Sequence, residues 1–590
     1  MSPSPRAPMR VAVALIALVT VAALSLMPTG TAVAADGGTT STTFRVPASG
    51  GVTLAATLTG ASPTSARPTV VEFTPYGTSG RSYDVSDDFN YLLVEIRGTG
   101  DSDGTFDALG PDSQRDVAST LRWACDQPWS NGHLAVAGFS ASAIMIFNSL
   151  HEELPCVDAA VLRSGTFELY RDLLVPGGIP NTVPGLGVLG LIGAPALMEG
   201  PQRLQRNPLS ALTTILGLAQ AGLNAGLLHP ELDDFWKQRG FRGDVNKIPT
   251  LFVDGAFDVE PRGDYMGFRQ LRGEGADPHL LVVGGHDGAP AGTDNGVAEI
   301  DKWFDHYLRG VDNGVDAEPA VQMLIPNGDR EDMLKGDFVR YDTSDWPAPD
   351  TTWTSLALSP AKSGSTTSLN DGSLTTQVPT KVRKQSYLAL TSLPTNTDPN
   401  TIATVAGGNG GPLNELFDFV PALSDMDLSN ATALTYTSAP LADPVTAVGP
   451  ATLDVNLSST SPSSNIWAVI SDVSPDGHAH PMAVGRLNTQ FPGIVESKSI
   501  HDSQGQLVNP YGDYTNPSPA PLLRARTYHV EFWPLANHFG AGHRIQLSIL
   551  GQSALSMPSL PALNTITLGG GSGSRLVFPV VTGDLPAALH

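Results

Sequence analysis

Between residues 42 and 310, short apolar runs alternate with segments of helical period. Thr69 to Phe73 is one such run and ends in Thr74-Pro75-Tyr76-Gly77. Tyr91 to Ile96 is another and ends in Arg97-Gly98-Thr99-Gly100. Apolar runs closed by glycine and proline mark strands. Ser113 to Asp126 reads as a helix, and Val157 to Leu162, Thr250 to Val253 and Leu280 to Val283 as further strands. Val297 to Leu308 is an amphipathic helix, with Ile300, Trp303, Phe304 and Tyr307 on one face and Gly310 as its stop. This alternation predicts an α/β domain built on a mostly parallel sheet.

Two stretches depart from the pattern. Thr166 to Lys247 is rich in Leu, Gly, Ala and Pro, with a helical piece from Leu209 to Leu228, and is expected to form a helical cap above the active site. Beyond Trp346-Pro347 the helical period fades. Leu453 to Leu457, Ile466 to Ile470, Tyr528 to Phe532 and Ile545 to Ile549 alternate apolar and polar residues. Turn clusters such as Ser474-Pro475-Asp476-Gly477 and Gly407-Gly408-Asn409-Gly410-Gly411 separate them, which predicts an all-β jelly roll. The expected divisions are a signal at 1–35, an α/β body at 36–165 and 248–345, the cap at 166–247, and the β domain at 346–590.

The chemistry is carried by His133 to Ile144, an apolar strand, a tight turn with Ser140, and a helix. That is the form of a nucleophile elbow. A strict G-x-S-x-G occurs elsewhere, at Gly100 to Gly104 around Ser102, but the residues after it cannot start a helix. Ser140 is followed by helix formers, with Ile146, Leu150 and Leu154 at four-residue spacing, and its neighbours Gly138, Ala141, Ser142 and Ala143 are small enough for a strained turn. A serine needs a base held by an acid, here in the order serine, acid, histidine. Asp258 follows one strand and His286 follows the next, in Gly284-Gly285-His286-Asp287-Gly288. Asp254 is the rival acid, but its place at a strand end suits it to holding the loop. The oxyanion hole would take the Ala141 N–H and a second donor from the loop after the third strand, where Tyr76 is the candidate and a packing tyrosine the alternative. No histidine or cysteine cluster has ligand spacing, so neither metal nor cofactor is expected.

Charge and cysteine usage narrow the context. The formal net charge of -24 argues against a nucleic-acid partner. Arg6 and Arg10, the apolar run Val11 to Met27, and Ala32-Val33-Ala34 form a secretory signal, so a secreted chain is expected, with an uncleaved anchor as the alternative. No later stretch is long and apolar enough to span a membrane. The two cysteines, Cys125 and Cys156, fall at the bottom edge of the predicted sheet, on either side of the elbow. A disulfide is expected between them, with two buried thiols as the alternative.

Taken together, Pro75-Tyr76, Arg97 to Gly104, Trp129-Ser130-Asn131-Gly132, Gly138-Phe139-Ser140, Trp303 to Gly310 and Gly540 to Ile545 resemble the CocE/NonD hydrolases, which group with the Xaa-Pro dipeptidyl-peptidase (S15) family. The resemblance covers about residues 42 to 585. It implies an α/β-hydrolase fold with a helical cap and a C-terminal jelly roll, a tyrosine hydroxyl in the oxyanion hole, and a structural role for the Arg97 to Gly104 turn. The chain departs from the family pattern at Ala141 and Ala143, at Ala256-Phe257 before Asp258, and in lacking a Trp before His286. The leading expectation is a secreted serine hydrolase of small ester, amide or short-peptide substrates. The alternatives are an Xaa-Pro dipeptidyl-peptidase, with Glu231, Asp233 and Asp234 as candidate holders of a substrate ammonium, and a non-catalytic surface-binding protein. Oligomeric state is not readable from the chain.

Overall fold

The computed structural model describes residues 40–589, apart from 61–63, 78–80, 183–184, 186–191, 193–200, 207, 224–227, 241, 244–245, 366–367, 369, 391–397 and 402–424. The expected signal and the Gly407 to Gly411 cluster lie outside the described residues.

A ten-stranded sheet forms the body. Its strands are β1 (Thr40–Pro47), β2 (Thr53–Gly60), β3 (Arg67–Thr74), β4 (Asn90–Glu95), β5 (Ser130–Phe139), β6 (Val157–Arg163), β7 (Thr250–Asp254), β8 (Pro278–Val282), β9 (Val321–Pro326) and β10 (Phe338–Thr343). They lie in the order β1-β2-β4-β3-β5-β6-β7-β8-β9-β10. The strands from β4 to β9 run parallel, and antiparallel strands flank them at both edges. Parallel strands are covered on both faces, which is why their sequences are apolar without alternation. Val71, Phe73, Val136, Leu162 and Phe252 face helices α1 (Pro111–Cys125), α2 (Ala141–Phe147) and α6 (Pro261–Gly273). Val70, Ala135, Val161 and Leu251 face α7 (Val297–Arg309) through Ile300, Trp303 and Phe304. The elbow helix is shorter than its spacing suggested. It stops at Phe147, where the Ser149 hydroxyl donates to the Met145 carbonyl at 2.7 Å, and Leu150 and Leu154 are buried beyond its end.

The described cap residues include α3 (Pro201–Arg206), α4 (Ser210–Leu223) and α5 (Asp234–Lys237). The cap sits on the Arg97 to Gly104 turn: the Arg203 N–H donates to Asp101 at 2.9 Å and the Thr214 hydroxyl to the Gly98 carbonyl at 3.1 Å. No helix among the described residues is long and apolar enough to cross a membrane. Cys125, the last residue of α1, is disulfide-bonded to Cys156, just before β6, with Cα atoms 6.1 Å apart.

The C-terminal domain is all-β, dominated by an 11-stranded sheet that includes the hairpin Asn465–Val473 with Ala479–Asn488. It is joined to the body and cap by a continuous apolar core and by buried charge. Arg262, at the start of α6, pairs with Asp172 of the cap and Glu531 of the β domain, both at 2.7 Å. Nearby, the Tyr511 hydroxyl donates to Glu168 at 2.5 Å, and the Leu232 N–H to the Tyr514 carbonyl at 2.9 Å.

Candidate active site

The sharp turn between β5 and α2 carries Ser140 at φ 57° and ψ −127°. A non-glycine residue in such a conformation costs about 1–3 kcal/mol, and here it is held by the Ser140 N–H bonding to the Arg163 carbonyl at 2.9 Å. A side chain at Gly138 would bring its Cβ to 2.4 Å from the Ser142 carbonyl carbon, so only glycine lets α2 fold back this closely. Ala143 is fully buried beside Gly165, whereas Ala141 faces an apolar cavity.

The loops after β7 and β8 bring Asp258 and His286 together. His286 Nδ1 lies 2.7 Å from Asp258 Oδ1, and the His286 backbone N–H donates to Oδ2 at 2.8 Å. Gly285 permits this approach, since a Cβ there would fall 2.0 Å from Oδ2. The imidazole packs on Phe139, the residue before Ser140, with ring centroids 4.6 Å apart. Burial acts to raise the Asp258 carboxyl, but the charge and hydrogen bonds of His286, with Ser164 beside them, outweigh it and hold the pKa at about 2. Burial acts to lower His286, and Asp258, then Glu260 and Asp287, push it up to about 9. The rival acid Asp254 accepts the Gly255 N–H at 2.8 Å, and burial drives its carboxyl well above the ordinary range.

The Tyr76 hydroxyl stands over the turn. It accepts the Ala141 N–H at 3.2 Å and is hydrogen-bonded to the Ser140 side chain. Burial raises its pKa, so it remains a neutral donor. Two groups able to donate to one anion therefore meet at the serine. The decoy Ser102 is fully buried elsewhere, donating to the Glu95 carbonyl at 2.5 Å and accepting the Ala55 N–H at 2.8 Å. Its turn is anchored by Arg97, which grips Asp116 of α1 through two bonds of 2.7 Å.

Beside Ala141 the cap and body enclose an apolar cavity of about 60 Å³, walled by Ile144, Phe106, Leu169, Leu173 and Trp236. Arg239 also borders it, with its guanidinium spent on the carbonyls of Asp107, Ala108 and Phe235 at 2.6, 3.0 and 2.8 Å.

Sequence reasoning missed Glu260. It is buried two residues after Asp258, its Oε2 has no hydrogen-bond partner, and burial pushes its pKa to about 8. Asp258, Glu260 and His286 bring one ligating atom each within 4.8 Å of one another. A cation held through His286 Nδ1 would replace the hydrogen bond of that nitrogen to Asp258, so Nδ1 cannot serve the acid and an ion together. The cap acids lie elsewhere in the structure's bonding: Asp233 caps α5 and pairs with His229, and Asp234 pairs with Lys237. The only signal for Glu260 was a second acid in the Asp258 loop.

Two family models match the chain in succession. Residues 50–287 match the X-Pro dipeptidyl-peptidase (S15 family) model, and residues 313–572 match the X-Pro dipeptidyl-peptidase C-terminal non-catalytic domain. The chain belongs to the S15 family. This S15 hydrolase is 23% identical to the cocaine esterase of Rhodococcus sp. (strain MB1 Bresler), over 71% of this chain and 77% of that one. Its fold is shared with a CocE/NonD family hydrolase from Staphylococcus aureus, at TM-score 0.70 and 18% identity over 92% of this chain and 93% of that one. An α-amino acid ester hydrolase has the same fold at TM-score 0.68 and 16% identity, covering 94% of this chain and 99% of that one. The S15 hydrolase is therefore a serine hydrolase with an α/β-hydrolase body, a helical cap and a C-terminal β domain.

Proposed function

We propose that the chain is an exported serine hydrolase that opens acyl ester or amide bonds through an acyl-enzyme. The observation that carries this reading is the meeting of a strained Ser140, an imidazole tied to buried Asp258, and two oxyanion donors at one turn. Ser140 Oγ attacks the acyl carbonyl while His286 takes its proton. The negative oxygen draws the Ala141 N–H and Tyr76 O–H away from each other and onto itself. His286 then gives its proton to the departing alcohol or amine, and water repeats the sequence to free the acid. The cavity beside Ala141 suits a compact apolar acyl group, because its walls offer no free polar atom from Arg239. Export rests on the N-terminal segment of the chain.

A fluorophosphonate probe tests the assignment. The parent chain should be labelled and Ser140→Ala should not, and Ser140→Ala should lose ester turnover. Undiminished turnover by Ser140→Ala would remove the serine from the reaction, and an unlabelled, inactive parent would favour a binding protein.

Glu260 favours a second reading, in which the substrate carries a free amine near its scissile bond. A buried carboxyl with an unpartnered oxygen beside the triad gains a partner when an ammonium enters. An Ala-Pro anilide compared with its N-acetylated form measures this. Preference for the free amine, lost in Glu260→Gln, supports the peptidase reading; equal rates on both favour a plain esterase.

A further inference from the structure

A second fully buried glutamate lies under the elbow. Glu72 sits in the middle of β3, whose apolar run Val70-Val71-Glu72-Phe73 it interrupts. Its Oε2 accepts the Ser82 N–H at 2.9 Å and the Tyr91 hydroxyl, and its Oε1 accepts the Ser82 hydroxyl at 2.5 Å. Ser142 of α2, two residues after the nucleophile, faces the same carboxyl. Burial raises the Glu72 pKa to about 7 in spite of these donors. A valine would continue the strand at lower cost, so the carboxyl is retained for what it binds.

The segment it binds reaches the elbow from below. The Tyr83 hydroxyl donates to the Gly138 carbonyl at 2.8 Å, two residues before Ser140. Arg81 stiffens the segment: its Nε donates to the Tyr83 carbonyl at 2.7 Å, and its guanidinium lies 4.4 Å from the centroid of the Tyr91 ring. Phe304 of α7 backs the Tyr83 ring at 6.4 Å. One end of this segment is thus fixed to β3 and the other to β5. Those strands carry the two oxyanion donors, since Tyr76 follows β3 and Ala141 follows β5.

We propose that Arg81–Tyr83 is a strap that sets the spacing between the Tyr76 hydroxyl and the Ala141 N–H, with Glu72 and Tyr83 as positioning residues for the transition state. This rests on the proposed roles of Ser140, Tyr76 and Ala141. Neither Glu72 nor Tyr83 touches substrate. Their effect is felt where the donors must converge on an oxyanion, a geometry that the bound substrate does not yet demand.

The test compares Tyr83→Phe, Glu72→Ala and Glu72→Gln with Ser140→Ala as reference. It uses a soluble short-chain ester and a boronic acid that mimics the tetrahedral state. Tyr83→Phe keeps the ring and loses one hydrogen bond. Its kcat should fall about tenfold, with KM within about twofold and boronate affinity weakened by the same factor as kcat. Glu72→Ala should lose more. Glu72→Gln should recover to within about threefold of the parent, because an amide oxygen at Oε2 accepts from Ser82 and Tyr91 while the amide N–H donates to the Ser82 hydroxyl. Parent-like kcat in Tyr83→Phe, loss confined to KM, or a Gln variant as impaired as the Ala variant would each overturn the strap. Should Glu72→Ala not fold, the Phe and Gln variants decide alone. An active Ser140→Ala would instead overturn the site assignment beneath it.

Discussion

In the proposed mechanism, His286 sets how activity responds to pH. Burial acts to lower its pKa, and the Asp258 carboxylate, reinforced by Glu260 and Asp287, raises it from 6.5 to about 9. Only the neutral ring can accept the Ser140 proton. The rate on free enzyme therefore climbs with pH and levels above 9, and each unit below 9 removes about tenfold, leaving about one competent site in a hundred at pH 7. The displacement is worth about 3 kcal/mol of favourable interaction with the protonated ring. Asp258→Asn removes its main source while burial remains. The acid limb should then fall to 6.5 or below, and kcat should drop roughly 10⁴-fold, because the amide no longer fixes the productive tautomer. The assay is kcat/KM by pH-stat titration of a short soluble ester between about pH 5 and 10, with Ser140→Ala as the blank. A parent limb near 6.5, or a limb unmoved by Asp258→Asn, would refute the reasoning.

Other outcomes follow from the same geometry. Tyr76→Phe removes one proposed oxyanion donor and should cut kcat roughly 10²–10³-fold with little change in KM, read by steady-state kinetics. Ser102→Ala should keep the parental kcat while lowering stability by about 1–3 kcal/mol in urea unfolding, since the Ala55 N–H loses its buried acceptor. Glu260 is raised by burial from 4.5 to about 8, so the folded state favours its protonated form. It destabilises the fold increasingly as pH rises above 4.5, until about 8. Glu260→Gln should therefore raise the melting temperature more at pH 8 than at pH 4.5, and an equal gain at both would show that the carboxyl is not held neutral.

The parallel strands were legible because burial on both faces writes itself as predominantly apolar runs, broken within β3 and β6 by Glu72 and Asp158. Thr69 to Phe73 became Arg67–Thr74, and Val157 to Leu162 became Val157–Arg163. The elbow was legible because its strain needs small neighbours, and the structure puts Gly138 and Ala143 where larger side chains would collide. The length of α2 was not, because a serine hydroxyl competing for a carbonyl leaves no mark on apolar spacing. Glu72 and Glu260 were invisible for another reason: each is significant through what lies across space from it, and a lone acid in a strand or loop has no period. The pairing of the β domain is non-local in the same way, with Leu434–Thr437 lying against Arg544–Leu550.

Arg262 bears on how such a protein can be rebuilt. It stands in the hydrolase body, yet its two shortest ion pairs reach Asp172 of the cap and Glu531 of the C-terminal domain, with Glu168 of the cap 3.6 Å away; Arg262 and Asp172 are buried and Glu531 is largely so. Cutting or exchanging the chain near Trp346 would leave a guanidinium buried opposite the wrong surface, a loss of about 3–5 kcal/mol. Recombination among S15 relatives is therefore constrained by this triplet as well as by the linker. A transplanted β domain has to arrive with an acid at the place of Glu531, or with an apolar replacement for Arg262 already made in its host.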